Sequence, residues 1–230
     1  MIQDRRFALA FRAGSLLFAI VGLMSHVGIF KGEFSSGAFM YYTIQSNLLA
    51  IVLFAALTVR TTKGLREGTK GSAGWYSRFG MIVAVDLLVT FIVFWTLLMP
   101  QGMSSDYLLS FDNIAVHAVT PLLCLFDYIL FSKSRSLKYR DVYYACIFPI
   151  CYTIFASIAG FVGYVYYVVI TFDSPFSSSP SGTTPVRFPY FFLDFDKLGI
   201  MVLVYIGVIL VFFLLLGHGI YFIDHKVRKP

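Results

Sequence analysis

Six long apolar runs dominate the chain, at Phe7–Phe30, Phe39–Val59, Phe79–Met99, Ile114–Phe131, Val142–Phe172 and Leu198–Ile223. An α-helix needs ~20 apolar residues to cross a bilayer. Every run reaches that length or comes close, the fourth being the shortest at 18 residues. None shows the alternation of apolar and polar residues that a membrane barrel strand requires. Backbone polar groups in lipid must be satisfied within the segment, which leaves the helix as the spanning form. The expected fold is therefore an all-α integral membrane protein, a six-transmembrane-helix bundle forming one domain over residues 1–230. Composition agrees: 58% of residues are hydrophobic and 13% charged, against about half and a quarter in soluble domains.

The basic residues orient this bundle. With the termini on one side, that side carries Arg5, Arg6, Arg60, Lys63, Arg66, Lys70, Arg78, Lys133, Arg135, Lys138, Arg140, Lys226, Arg228 and Lys229, which is 14 of the 18 Lys and Arg. The opposite side has Lys31, Arg187 and Lys197, and Arg12 lies just inside the first run. Basic loops stay cytoplasmic, so both termini are expected there. The net charge of +6 follows from these loops. They suit a headgroup surface, and no nucleic-acid partner is expected. The opening Met1–Arg6 resembles the start of a signal peptide, but the following run is too long and lacks a small-residue cleavage site. It is read as the first span. Cys124, Cys146 and Cys151 all fall within runs and read as small apolar groups, not as disulfides or metal ligands.

Loop composition refines the outline. The segment 60–77 is rich in Gly and Thr and reads as a flexible basic loop. Pro100 ends the third run, and Pro121 should kink the fourth. The fifth run, as one helix, would reach about 46 Å. It must tilt, break at Pro149 or project past the membrane. Ala156, Gly160 and Gly163 form a small-residue stripe on it. Of the loop 173–196, the first half is Ser/Pro-rich and reads as mobile. The second half, Phe188 to Asp194, is aromatic and suits the outer interface.

Polar groups inside apolar runs point to function. The densest patch is Tyr41-Tyr42-Thr43-Ile44-Gln45-Ser46-Asn47, at the start of the second run. Thr43, Ser46 and Asn47 share one helix face. At ~1.5 Å per residue, Thr43 lies about 9 Å below Gly37, His117 about 7.5 Å below Asp112, and His26 about 6 Å below Phe30. These three form an outer layer. Asn47 and Asp86 lie near the midplane. Arg12, Asp127 and His218 form an inner layer and are expected to close as a structural polar cluster. A Thr hydroxyl near an imidazole is a nucleophile with its base. The structural alternative is a Thr43 hydroxyl bonded back to the carbonyl of Phe39.

Tyr42-Thr43-Ile44-Gln45-Ser46-Asn47, His117-Ala118-Val119-Thr120-Pro121 and Phe188-Pro189-Tyr190-Phe191-Phe192-Leu193-Asp194 together resemble the bacterial Pr6Pr family of membrane proteins. That family is similar to the androgen-induced and androgen-dependent transmembrane hydrolases, which cleave fatty acid esters of hydroxy fatty acids. The resemblance implies a plasma-membrane Thr hydrolase of long-chain esters, with Thr43 as nucleophile and His117 as base. The departure lies just after the Thr, where Gln45-Ser46-Asn47 replaces aromatic and aliphatic residues. It bears on the substrate more than on the residue pair. Gln45, Ser46 and Asn47 are oxyanion-donor candidates, and His26, Trp95 and Tyr190 are further substrate-side candidates. The segment 188–192 is expected to roof the site. A lipid ester and the membrane are the expected partners; no cofactor and no metal are expected.

Two other classes fit some of these residues. His26 and His117 at equal depth suit the axial ligands of a haem or another metal centre. Asp86, Asp127, His218 and Arg12 suit the relay of a transporter, although no inverted repeat accompanies them. A scaffold with only structural polar groups is the remaining class.

Overall fold

The computed structural model describes residues 2–69, 77–101, 104–171 and 182–227. Six helices are long and apolar enough to cross a membrane: α1 Arg5–His26, α2 Tyr42–Arg66, α3 Ser77–Leu98, α4 Phe111–Phe131, α5 Tyr139–Phe161 and α6 Phe195–Lys226. All six expected runs are helical over most of their length, as expected of a multi-pass membrane protein.

The boundaries depart from the apolar runs for local reasons. Asp4 starts α1 by accepting from the backbone N–H groups of Arg6 and Phe7. That helix stops at His26, short of Phe30, where Gly28 turns left-handed at φ 83°. A side chain at Gly28 would meet the Glu33 carbonyl, so the turn requires glycine. Helix α2 continues to Arg66, into the segment read as a flexible loop. Lys63 and Glu67 pair at 3.7 Å near that end, adding modest helix support. Lys70 and the rest of that loop to residue 76 lie outside the described residues.

The fifth run carries the main correction. It begins as a 3₁₀ segment, Tyr139–Cys146, and becomes α-helical at Ile147–Phe161. Pro149 sits in the first turn of the α segment, where its missing N–H is harmless. The helix ends at Phe161, and Gly163 follows in the left-handed region at φ 91°. Beyond it, β1 Tyr167–Thr171 pairs antiparallel with β2 Gly182–Val186, Tyr167 facing Val186. Val168, Val169, Ile170 and Thr171 are β-branched, which favours strand over helix. Thus an apolar run that reads as one overlong helix is a helix plus half of a hairpin. The Ser/Pro-rich stretch expected to be mobile falls within 172–181, outside the described residues.

The chain divides into two compact units, one comprising the residues up to Ile147 together with those from Phe212, the other Phe148–Val211. In the first, Ala50, Leu53, Phe54 and Leu57 of α2 pack with Val83 and Leu87 of α3 and Cys124 of α4. A second cluster joins Leu23 and Val27 to Ile44 and Val116, beside Thr43 and His117 in sequence. Helix α1 approaches α4 closely, because a Cβ at Gly22 would lie 2.6 Å from that of Ala115. In the second unit, Gly160 gives the same kind of close approach to the Phe188 ring. Ala156 and Gly160 of the expected small-residue stripe are buried, while Gly163 belongs to the turn. Phe188 is buried there against Phe161 and Phe195.

Candidate active site

Helix α2 begins at Tyr42, so Thr43 stands in its first turn. The preceding residues belong to a separate 3₁₀ turn, Ser36–Met40. The hydroxyl therefore has no helical carbonyl one turn back, and the Phe39 carbonyl instead accepts from the Gln45 amide at 3.0 Å. Thr43 Oγ1 lies 3.3 Å from His117 Nε2. On the other edge of the ring, His117 Nδ1 lies 3.2 Å from the carbonyl oxygen of Asn113. A carbonyl can only accept, so Nδ1 carries the proton and Nε2 presents its lone pair to the Thr43 hydroxyl. This is the tautomer a general base needs.

The ring is held on several sides. Phe94 stacks on it, with centroids 3.7 Å apart and planes 21° from parallel. His117 lies in a π-helical turn, Ala115–Val119, and Phe94 begins another, Phe94–Leu98. Such turns are rare and recur at functional sites. Pro121 explains how the turn in α4 is stabilised. It has no N–H for the carbonyls one turn earlier, those of Val116 and His117. Two side chains supply the missing donors. Asn47 Nδ2 donates to the Val116 carbonyl at 3.1 Å, and Trp95 Nε1 donates to the His117 carbonyl at 3.1 Å. The expected kink at Pro121 is thus a π-helical turn anchored by α2 and α3.

These bonds revise the roles of the donor candidates. Asn47 Nδ2 also donates to the Thr43 carbonyl, at 2.8 Å. Ser46 donates to the same carbonyl at 3.0 Å and faces Thr90 Oγ1 at 3.3 Å. With Gln45 engaged at Phe39, none of the three has a donor directed at a substrate. They fix the start of α2, and Trp95 fixes His117. The free donors are in the backbone. The Ncap residue Tyr41 makes no side-chain cap, and the N–H groups of Thr43 and Ile44 have no hydrogen-bond partner among the described residues. Unpaired first-turn amides with the helix dipole behind them favour negative charge. Sequence reasoning passed over them because it placed the start of the span several residues too early.

Comparison with protein-family models, with curated proteins and with solved structures finds no match to this chain.

The remaining candidates separate into distinct environments. The His26 ring meets the His117 ring edge-on, with centroids 5.7 Å apart. Its Nδ1 is 3.8 Å from Asp112 Oδ2, which also lies 3.6 Å from Lys31 Nζ. Asp86 is fully buried and accepts from the Tyr42 hydroxyl at 3.1 Å, its second oxygen having no hydrogen-bond partner among the described residues. Tyr190 belongs to the second unit, where its ring stacks on Phe192 at 5.1 Å.

Arg12 and Asp127 meet as expected. Arg12 Nε and Nη2 donate to the two carboxylate oxygens at 2.7 and 3.2 Å, and Nη1 donates to Thr61 Oγ1 at 2.7 Å. The guanidinium also lies over the Phe131 ring, 5.3 Å from its centroid. His218 does not complete this cluster. It bonds the Leu214 carbonyl at 2.7 Å and faces the Tyr139 hydroxyl at 3.3 Å. Equal depth on a helix does not specify which way a side chain points, and His218 points to another neighbour. Two acidic anchors that sequence reasoning missed lie elsewhere in the first unit. Asp141 pairs with Arg78 at 2.8 Å. Asp224 is fully buried and accepts from the backbone N–H groups of Ser136 and Leu137. Both lie near the ends of apolar runs, where charge is ordinary and carries no signal in sequence.

Both ring nitrogens of His117 face partners, the Thr43 hydroxyl and the Asn113 carbonyl. Among the described residues no group of three or more His, Cys, Asp or Glu is placed to hold a metal ion.

Proposed function

We propose that the protein is an intramembrane ester hydrolase in which Thr43 is the nucleophile and His117 its base. The observation that carries this reading is the 3.3 Å approach of Thr43 Oγ1 to the unprotonated nitrogen of a His117 ring held at its other nitrogen by the Asn113 carbonyl. The resemblance of the Thr43 and His117 motifs to the Pr6Pr family supports the same two residues. It also supports a long-chain ester, such as a fatty acid ester of a hydroxy fatty acid, as substrate.

In this reading His117 Nε2 takes the Thr43 proton as the oxygen attacks the ester carbonyl carbon. The tetrahedral oxyanion lies at the start of α2, stabilised by the N–H groups of Thr43 and Ile44. Collapse expels the alcohol, protonated by His117, and leaves an acyl ester on Thr43. His117 then takes a proton from water as that water attacks the acyl carbon, and returns it to the departing Thr43 oxygen. The basic residues near the termini support cytoplasmic ends and a site close to the outer face. An ester in the outer leaflet then reaches Thr43 sideways while water arrives from outside. Thr43 keeps 9% of its surface and His117 5%, so substrate entry requires neighbouring side chains to move aside.

The test is turnover of a long-chain ester by the purified protein and its variants. Thr43→Val and His117→Ala should lose turnover and keep the fold, and Thr43→Ser should keep part of it. Full activity in Thr43→Val would refute the proposal.

A further inference from the structure

The site needs a second component that the Thr43–His117 pair does not supply, a means of holding the water that hydrolyses the acyl ester. Exposure points to where it enters. The side chains of His26 and Asp112 keep 16% and 13% of their surface, and that of Lys31 beside them keeps 57%. The edge where His26 closes α1 is therefore partly open. His26 Nδ1 is buried, has no hydrogen-bond partner among the described residues, and faces the Asp112 carboxylate at 3.8 Å. At that distance the contact is one of charge. It favours a proton on Nδ1 and leaves Nε2 as the acceptor. An acid thus orients His26, whereas a backbone carbonyl orients His117. Asp112 also keeps Lys31 nearby, so the charged and titratable groups facing His26 are Asp112, Lys31 and His117.

The two imidazole rings stand edge to face, 5.7 Å apart. Among the described residues no hydrogen bond joins the two rings, so a water hydrogen-bonded to His26 lies within reach of the neighbouring His117 ring.

Resting on the hydrolase reading, we propose that His26, oriented by Asp112, is the positioning residue for the hydrolytic water. The water donates one hydrogen bond to His26 and gives its other proton to His117. Its oxygen adds to the acyl carbon, and the bond to Thr43 Oγ1 breaks. The proton on His117 passes to that oxygen, and the carboxylic acid leaves. His26 takes no part in acylation, so the two half-reactions depend on different residues.

The experiment uses the full chain in detergent with a p-nitrophenyl ester of a long-chain acid. It follows the covalent acyl adduct on Thr43 by mass spectrometry alongside nitrophenol release. His26→Gln should accumulate the acyl adduct and lose steady-state turnover by on the order of 10²-fold. Asp112→Asn should act in the same direction by a smaller factor. Hydroxylamine, a nucleophile that needs no base, should restore acyl release in both. Fluorophosphonate labelling of Thr43 should proceed at the wild-type rate in both, because acylation is untouched. Unchanged deacylation in His26→Gln, or equal loss of labelling and turnover in both variants, would overturn the proposal. Failure of the underlying reading looks different: wild-type protein would form no adduct on Thr43, and labelling would survive Thr43→Val.

Discussion

Removing the carboxylate of Asp127 is the perturbation whose energetic effect follows most directly from the geometry. Arg12 is wholly buried and gives two hydrogen bonds to Asp127 and one to Thr61. In Asp127→Ala the guanidinium keeps Thr61 and the face of Phe131 but loses the carboxylate it pairs with. Breaking a buried ion pair from one side costs about 3–5 kcal/mol, because a charge is left uncompensated. Replacing both partners with apolar residues removes that charge as well, so Arg12→Met with Asp127→Leu should unfold within about 1 kcal/mol of wild type. The assay is reversible unfolding in mixed micelles, with Arg12→Met completing the double-mutant cycle. Asp127 follows His117 on α4 by about 15 Å, so the double variant should keep wild-type labelling of Thr43. An Asp127→Ala variant within about 0.5 kcal/mol of wild type would refute the reasoning, as would a double variant no more stable than the single.

Three further outcomes are expected. Gly22→Leu should lose about 1–3 kcal/mol and most turnover, since even a Cβ there would lie 2.6 Å from that of Ala115; Gly22→Ala with Ala115→Gly should recover both, measured by unfolding and ester hydrolysis. Trp95→Phe keeps the ring but leaves the His117 carbonyl without its donor, and should lower stability by about 1 kcal/mol with a larger fall in kcat than in binding, read from steady-state kinetics. Turnover should be lost on the acid side of its pH profile and return as pH rises, because a protonated Nε2 cannot take the Thr43 proton; an activity maximum in acid would contradict the base assignment.

Much of this was legible in the sequence because length and polarity act independently of partners. The six helices follow from hydrophobic length; depth along a helix paired Arg12 with Asp127, and depth together with the motif resemblance paired Thr43 with His117. What depth leaves open is azimuth, and this is why His218 bonds Leu214 and faces Tyr139 instead of joining Arg12. The donor roles failed for a related reason. Asn47 and Ser46 lie on the face with Thr43, but the nearest acceptors are backbone carbonyls, one of them left open by Pro121. The start of α2 at Tyr42 depends on a turn that apolar composition does not mark, and with it went the free amides of Thr43 and Ile44. In the fifth run hydrophobicity outweighed the β-branched residues from Val168 to Thr171, hiding a strand inside an apparent span.

The central claim is that Thr43 is a nucleophile activated by His117. The most direct measurement is reaction of the purified protein with a fluorophosphonate, followed by peptide mapping of the phosphonyl adduct. The account expects the adduct on Thr43, its loss in Thr43→Val and His117→Ala, and its return on the serine of Thr43→Ser. Labelling elsewhere in the chain, or labelling of Thr43 that is unchanged in His117→Ala, would contradict it.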